Sequence, residues 1–294
     1  MATGLTSLTG FSENPYLTVA EYKNAPTSID YNNLVVGGNQ NAQDAELERV
    51  ILRATSYINE YLNQDLVAGL TTETQRVRIT NQGYVSLHPN INPILALTNF
   101  QYGTTPNNLV AITDPSLCWF ENQQVIIPLS LFQTTYSSQG PLAFGPGGTP
   151  SQIMYVKYTY TGGYVNTVGT GTAAASSITV VNSAGILPGQ QYRIYDGANS
   201  ETVTVSNSYT YGNNTVTLST PLLYSHAAVA FSNLPTAIKQ ATILVTTAFL
   251  KTRGDSSLTM NLTTQPTANI GNNQRYAGEI ALALDMVSKY RRIR

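Results

Sequence analysis

The hydrophobic period of the chain changes several times along its length, and those changes predict its elements. Thr18 and Glu21 in TVAEYKNAP have the spacing of a helix capping box, and Pro26 ends that short helix soon afterwards. Between about Gln43 and Asn63, Leu47, Val50, Ile51, Ala54, Ile58, Tyr61 and Leu62 recur at three- and four-residue intervals, which lines them along one face of a longer helix. Asp44, Glu46 and Glu48 stand near its start and Arg49 and Arg53 follow, the order that the helix dipole favours. From about Thr74 the period becomes two. TQRVRIT, YVSLHP, ILALTNFQYG, LVAIT, WFENQQVIIPL and IMYVKYTYTGGYV then read as strands separated by Asn, Gly and Pro. Val77 and Ile79 alternate with Arg76, Arg78 and Thr80, so that strand is expected to have one wet face. The run from about 137 to 151 is rich in Gly and Pro and predicts a long exposed loop.

A second β segment occupies about 172 to 232, with alternating strands broken by turn residues every 8 to 12 positions. That rhythm predicts a small sandwich or barrel, with GTGTAAA ahead of it as a linker. Helical spacing then returns. Pro235 suits the first helical position, Ile238, Ala241, Val245, Ala248 and Phe249 form a stripe reaching Leu250, and Gly254 is placed to stop the helix. Asp255 to Asn273 is polar and predicts a loop. A final helix from about Tyr276 to Arg292 turns Ile280, Leu284, Met286 and Val287 inward. The expected fold class is α+β: a helical bundle from the N- and C-terminal helices, a β-rich middle and an inserted small β-sandwich or barrel. The predicted divisions are 1–73 (N-terminal helices), 74–168 (β-rich segment with the long Gly/Pro loop), 169–233 (inserted module) and 234–294 (C-terminal helices and basic tail).

Composition narrows the function classes. Of 294 residues, 42% are hydrophobic and 11% charged, roughly half the usual share of about 25% charged residues. Lys+Arg 15 against Asp+Glu 16 gives a formal net charge of -1. This balance excludes a protein that grips nucleic acid through many phosphate contacts, and the hydrophobic content argues against disorder. Cys118 is the single cysteine, so no intrachain disulfide forms, and its neighbours Leu117 and Trp119 predict a buried apolar thiol. MATGLTSLTG lacks the charged and apolar regions of a secretory signal, and Ala241 to Leu250 is too short to span a bilayer. A soluble, non-membrane protein is expected.

Candidate chemistry is sparse. His88 and His226 are the two histidines, with no HExxH, CxxC, phosphate loop, strand-GxGxxG-helix unit or GxSxG, so both predict structural or surface roles. Asp196 and Glu201 flank the DGANSE turn and are a conceivable carboxylate pair. Asp-Gly is common hairpin chemistry, however, and Glu201 at a strand start is expected to face water. Asp196, Asn199 and Glu201 supply too few oxygens for calcium. No catalytic, cofactor-binding or metal-ligating residue is assigned, and no enzymatic activity is expected. The outstanding cluster is Lys289, Tyr290, Arg291, Arg292 and Arg294, which holds four of the 15 basic residues. It reads either as compensation of a helix C-terminus or as an arm that docks on an acidic partner surface or touches phosphates.

Taken together, YLTVAEYKNAP, AELERVILRATSYINEYLNQDL, TETQRVRITNQGYVSLHPNINPILALTNFQYG, VKYTYTGGYVN, LPTAIKQATILVTTAFLKTRG and EIALALDMVSKYRRIR resemble the head-to-tail connector (adaptor) proteins of tailed bacteriophages. The segment at about 172 to 232 departs from that pattern and resembles small β modules of other virion proteins. The resemblance implies a homo-oligomeric ring in the virion neck, twelvefold in the family, assembled in the host cytoplasm. Such a ring lies beneath the portal and above a stopper, tail-completion or tail protein, and genomic DNA passes through its lumen without specific binding. It also implies that Lys289, Tyr290, Arg291, Arg292 and Arg294 reach the portal. The alternative expectation, from the Tyr-rich β content and the inserted module, is a virion protein that binds a glycan or host surface.

Overall fold

In a computed structural model, the described residues are 14–27, 29–78, 84–111, 118–121, 123–128, 153–252 and 270–292, with side chains of the last helix described from Gly278 onward. The architecture is α+β, and the chain divides into two compact units, 1–67 with 165–294, and 68–164. The Gly/Pro-rich run at 137–151, Ile79, Thr80, Gly254 and Arg294 lie outside the described residues.

In the first unit, α1 (Val19–Asn24) starts at a formed capping box: Thr18 accepts from the Glu21 N–H, and the Glu21 carboxylate accepts from the Thr18 N–H. Helix α2 (Gln40–Leu62) begins three residues ahead of the expected start, because the Asn39 side chain caps it by accepting from the Ala42 N–H. Its stripe is buried at Leu47, Val50, Ile51, Ala54, Ile58 and Leu62. Helix α3 (Thr236–Lys251) has Pro235 at its N-cap, one position before the expected one, and buries Ile238, Ala241, Val245 and Ala248. Helix α4 (Ile270–Val287) starts six residues before Tyr276 and so takes in the end of the expected loop. It also stops before Arg292. A 3₁₀ turn, Ser288–Tyr290, follows it, and the Arg292 N–H donates to the Leu62 carbonyl at the end of α2 rather than continuing α4. Helix α3 packs against both α2 and α4. Leu17, Tyr22, Leu47, Val50, Ile51 and Leu250 form one apolar cluster.

The same unit holds β8 (Asn166–Gly171), β9 (Ser177–Val180), β10 (Gln191–Tyr195), β11 (Glu201–Thr204), β12 (Thr215–Thr217) and β13 (His226–Ser232). They form one antiparallel sheet in the order β11-β10-β13-β8-β9-β12. Its two ends are joined by the Val205–Leu218 bridge and by bonds from Ser206 N–H to Thr217 O and Ser219 N–H to Thr204 O, so the sheet closes on itself. Ile178, Ile194, Val203, Val216 and Phe231 fill its interior, and Tyr192 stacks on Phe231 at 4.9 Å between centroids. The expected GTGTAAA linker is half strand, since Gly169, Thr170 and Gly171 belong to β8. The glycines read as punctuation, but a Cβ at Gly169 would stand 2.9 Å from Ile178 Cδ1 and 3.4 Å from Phe231 Cβ, so a side chain there would make the packed interior shift.

The second unit contains β1 (Gly69–Arg78), β2 (Tyr84–Leu87), β3 (Ile94–Thr105), β4 (Asn108–Ala111), β5 (Trp119–Glu121), β6 (Gln124–Pro128) and β7 (Ile153–Gly162). They form sheets β1-β7-β3-β4 and β2-β6-β5, all pairings antiparallel. WFENQQVIIPL, expected as one strand, folds back as the β5–β6 hairpin, with Gln123 at φ 63 in the turn. Val85, Leu87, Val125 and Ile127 from one sheet meet Phe100, Tyr102, Met154, Val156, Tyr158 and Tyr160 from the other. Cys118 is partly buried against this core rather than fully inside it. β1 alternates as expected, with Arg76 and Arg78 outward. Its innermost residue is Glu73, which accepts from Tyr160 Oη at 2.5 Å, Tyr158 Oη at 3.2 Å and the Asn90 N–H at 2.9 Å.

Gly103 interrupts the register between β3 and β4, and a Cβ there would lie 2.0 Å from the Asn108 carbonyl oxygen. Because the clash is with backbone, Gly103→Ala is expected to destabilise the chain by about 1–3 kcal/mol. Urea denaturation measures this, and an unchanged midpoint would contradict the described β3–β4 packing.

Candidate functional site

The closed sheet brings together three residues that the sequence leaves apart. His226 opens β13, Asp196 follows β10 and Glu201 opens β11, and β10 is hydrogen-bonded to both of the other strands. The His226 side chain is fully buried. Its Nδ1 lies 2.9 Å from Asp196 Oδ2 and its Nε2 2.8 Å from Glu201 Oε1. Both ring nitrogens are thus within hydrogen-bond distance of a carboxylate oxygen. Glu201 does not face water: its side chain is 6% exposed, and it also accepts from the Leu223 and Tyr224 N–H groups. Nor is DGANSE a two-residue hairpin. Gly197–Asn199 forms a 3₁₀ turn, closed by Ser200 Oγ, which accepts from the Asp196 N–H and donates to the Gly197 carbonyl.

This geometry staples three strands and a loop, with the His226 and Glu201 side chains buried and Asp196 partly exposed. The carboxylates sit on opposite edges of the ring, and both ring nitrogens are engaged. Among the described residues, no group of three or more His, Cys, Asp or Glu side chains is placed to hold a metal ion. His88, the other histidine, has its backbone tied to Gln75, whose side chain accepts from the His88 N–H and donates to its carbonyl.

A second buried cluster was not visible in the sequence. Lys239 on α3 is 5% exposed. Its Nζ donates to Glu21 Oε1 at 2.5 Å, Tyr16 O at 3.2 Å and Asn166 Oδ1 at 3.3 Å, and lies 4.4 Å from the Tyr195 ring centroid. Burial pulls the Lys239 ammonium below the usual lysine range, and the Glu21 charge and hydrogen bond oppose that pull. Glu21 and Lys239 also line a cleft of about 320 Å³ with Leu17, Tyr195 and Ile243. The signal for it in the sequence is its place beside Ile238, within the buried face of α3.

The C-terminal basic residues lie against the end of α2. Gln64 Nε2 donates to the Tyr290 carbonyl at 2.6 Å, and the Arg292 N–H donates to the Leu62 carbonyl. The Arg291 guanidinium lies 5.0 Å from the Tyr61 ring, and Lys289 lies over Tyr290 at 4.9 Å. Lys289 and Arg291 are exposed. The positive charges therefore gather near the C-terminal end of α2, where carbonyl dipoles favour cations. Among the described residues, no helix is long and apolar enough to cross a membrane.

No family model matches the chain, and no curated protein matches it. Among solved structures, it is similar to a chain described as the neck of an empty GTA particle computed with C6 symmetry. The identity is 12% and the TM-score 0.35, over 96% of this chain and 95% of that one.

The staple has a pH signature. Burial pushes the Glu201 carboxyl up, but hydrogen bonds from His226, Leu223 and Tyr224 outweigh it and hold the group below its ordinary value of 4.5. A lowered folded-state value means that the contribution is complete above pH 4.5 and is lost as pH falls through the lower folded value. Thermal melts from about pH 6 down to about pH 3 are expected to show Glu201→Gln less stable than the parent at the upper end, with the gap closing at the lower end. A gap independent of pH would refute the carboxylate's role.

Proposed function

We propose that the chain is a structural, non-catalytic subunit of the neck of a tailed, phage-like particle: a head-to-tail adaptor whose copies close into a ring beneath the portal. One observation carries this reading. Helices from opposite ends of the chain, α2 and α3, pack together with the closed six-stranded sheet inserted between them in sequence. This is the order that the adaptor resemblance implies, with the terminal helices as the bundle and the sheet as the added module. The resemblance supplies the finer features: about twelve copies, a stopper, tail-completion or tail protein below, and DNA passing through. A formal charge of -1 per chain is compatible with a wall along which DNA slides. The non-catalytic part rests on His226, whose two ring nitrogens are spent on internal carboxylates.

The basic terminus is the proposed portal contact. Removing everything after Lys289 would also remove the Tyr290 and Arg292 backbone anchors on α2, so side-chain replacement is the cleaner probe. Lys289→Glu combined with Arg291→Glu is expected to leave folding stability within about 1 kcal/mol, since both side chains are exposed, and to abolish tail attachment to filled heads. Wild-type yields of tailed particles would remove the terminus from the portal contact. Cryo-EM of particles carrying the chain tests the main reading: a closed ring between portal and tail supports it, and density in the tail tube or receptor-binding tip overturns it.

A further inference from the structure

The cluster around Lys239 brings together the parts of a condensation reaction. Lys239 Nζ lies 3.3 Å from Asn166 Oδ1, the oxygen bonded to the carboxamide carbon. Glu21 Oε1 lies 2.5 Å from the same nitrogen. A second hydrogen bond, from Asn166 Nδ2 to the Pro15 carbonyl at 2.8 Å, fixes the carboxamide plane and leaves the Nδ2 edge turned from the lysine. The Lys239 and Glu21 side chains are 6% and 7% exposed. The carbon that the nitrogen would attack is the one bonded to this Oδ1, and holding nucleophile and electrophile side by side in a buried site is what gives an intramolecular reaction its advantage.

We propose that Lys239 and Asn166 form an intramolecular isopeptide bond, with Glu21 as the proton carrier. The ammonium gives a proton to Glu21, which leaves a neutral amine beside a neutral carboxylic acid. The nitrogen lone pair attacks Asn166 Cγ, and the carbonyl electron pair moves onto Oδ1. As the tetrahedral intermediate collapses, the carbonyl reforms and the Cγ–Nδ2 bond breaks. Glu21 takes the second proton from the lysine nitrogen while the departing nitrogen collects the first. An amide N–H remains on Lys239, and the ammonia departs with the remaining acid proton as ammonium. No oxidant, reductant or cofactor is consumed.

The surroundings favour each step. Burial disfavours the charged amine, and in a poorly solvated site the neutral amine–acid pair competes with the ion pair, whose desolvation is costly. The Tyr195 ring covers the nitrogen and limits water as a competing nucleophile. The adjoining cleft, lined by Glu21 and Lys239 themselves, gives the ammonium a way out. The bond would join α3 to β8 across 73 residues of sequence and lock the closed sheet to the helices. A covalent bond there resists separation of the sheet from the helices by force.

The test is the intact mass of the purified, full-length chain. The expected mass is lower than the sequence mass by one ammonia, with trypsin failing to cut after Lys239 and a branched peptide joining the Lys239 and Asn166 fragments. Glu21→Gln is expected to restore the full sequence mass and cleavage at Lys239 while circular dichroism remains that of the folded chain. Lys239→Arg is expected to do the same while keeping the buried cation. A folded parent chain with the full sequence mass and a cleavable Lys239 overturns the proposal. A branched peptide that persists in Glu21→Gln overturns the role given to Glu21.

Discussion

The contacts of the Lys239 ammonium, as they stand before any condensation, are the interaction on which the docking of the first unit depends. Its three N–H groups meet three acceptors from three parts of the chain: the segment before α1, the capping glutamate of α1, and the first residue of β8. A cation placed so deep is costly unless every proton is matched. The match therefore constrains the docking of α1, α3 and β8 more tightly than apolar packing does, because apolar contacts tolerate sliding and a three-point donor does not. Glu21 is used twice, once to cap α1 and once to hold Lys239, so the local start of a six-residue helix and a contact 218 residues away in sequence share one carboxylate.

The same economy recurs elsewhere. The chain has only 11% charged residues, and several of its acids are spent inside. Glu201 binds His226 and two backbone N–H groups, and Glu73 binds two tyrosine hydroxyls and a backbone N–H. Burial and the Glu73 carboxylate together hold the Tyr160 hydroxyl well above the usual tyrosine range, so it stays a neutral donor. These polar centres fix which strand lies beside which, a specificity that the surrounding Val and Ile positions do not provide alone.

Much of the local architecture was legible in the sequence. The capping box at Thr18 and Glu21, the stripe of α2, the alternation of β1 and the separate β segment follow from spacing alone, since each depends on residues within a turn or two. The boundaries moved where distant groups intervened. Asn39 extended α2 backwards, and the Leu62 carbonyl captured the Arg292 N–H and turned the chain away from a continued α4. The glycines of β8 read as a linker because the crowding at Gly169 comes from Ile178, in the next strand.

The sequence by itself determined the element types, the scarcity of reactive groups and the near-neutral charge, because each is a property of composition or of neighbours along the chain. Tertiary structure alone decided what the polar residues do. Asp196, Glu201 and His226 read as turn, surface and isolated histidine, and became one staple when β10 and its neighbours aligned. Lys239 carries no signal of its partners in the sequence, since Glu21, Tyr16 and Asn166 arrive from elsewhere in the chain. The physical reason is that hydrogen bonds and charge pairs act over about 3 Å between atoms that only the closed sheet and packed helices bring together, and no periodicity in the chain encodes those meetings.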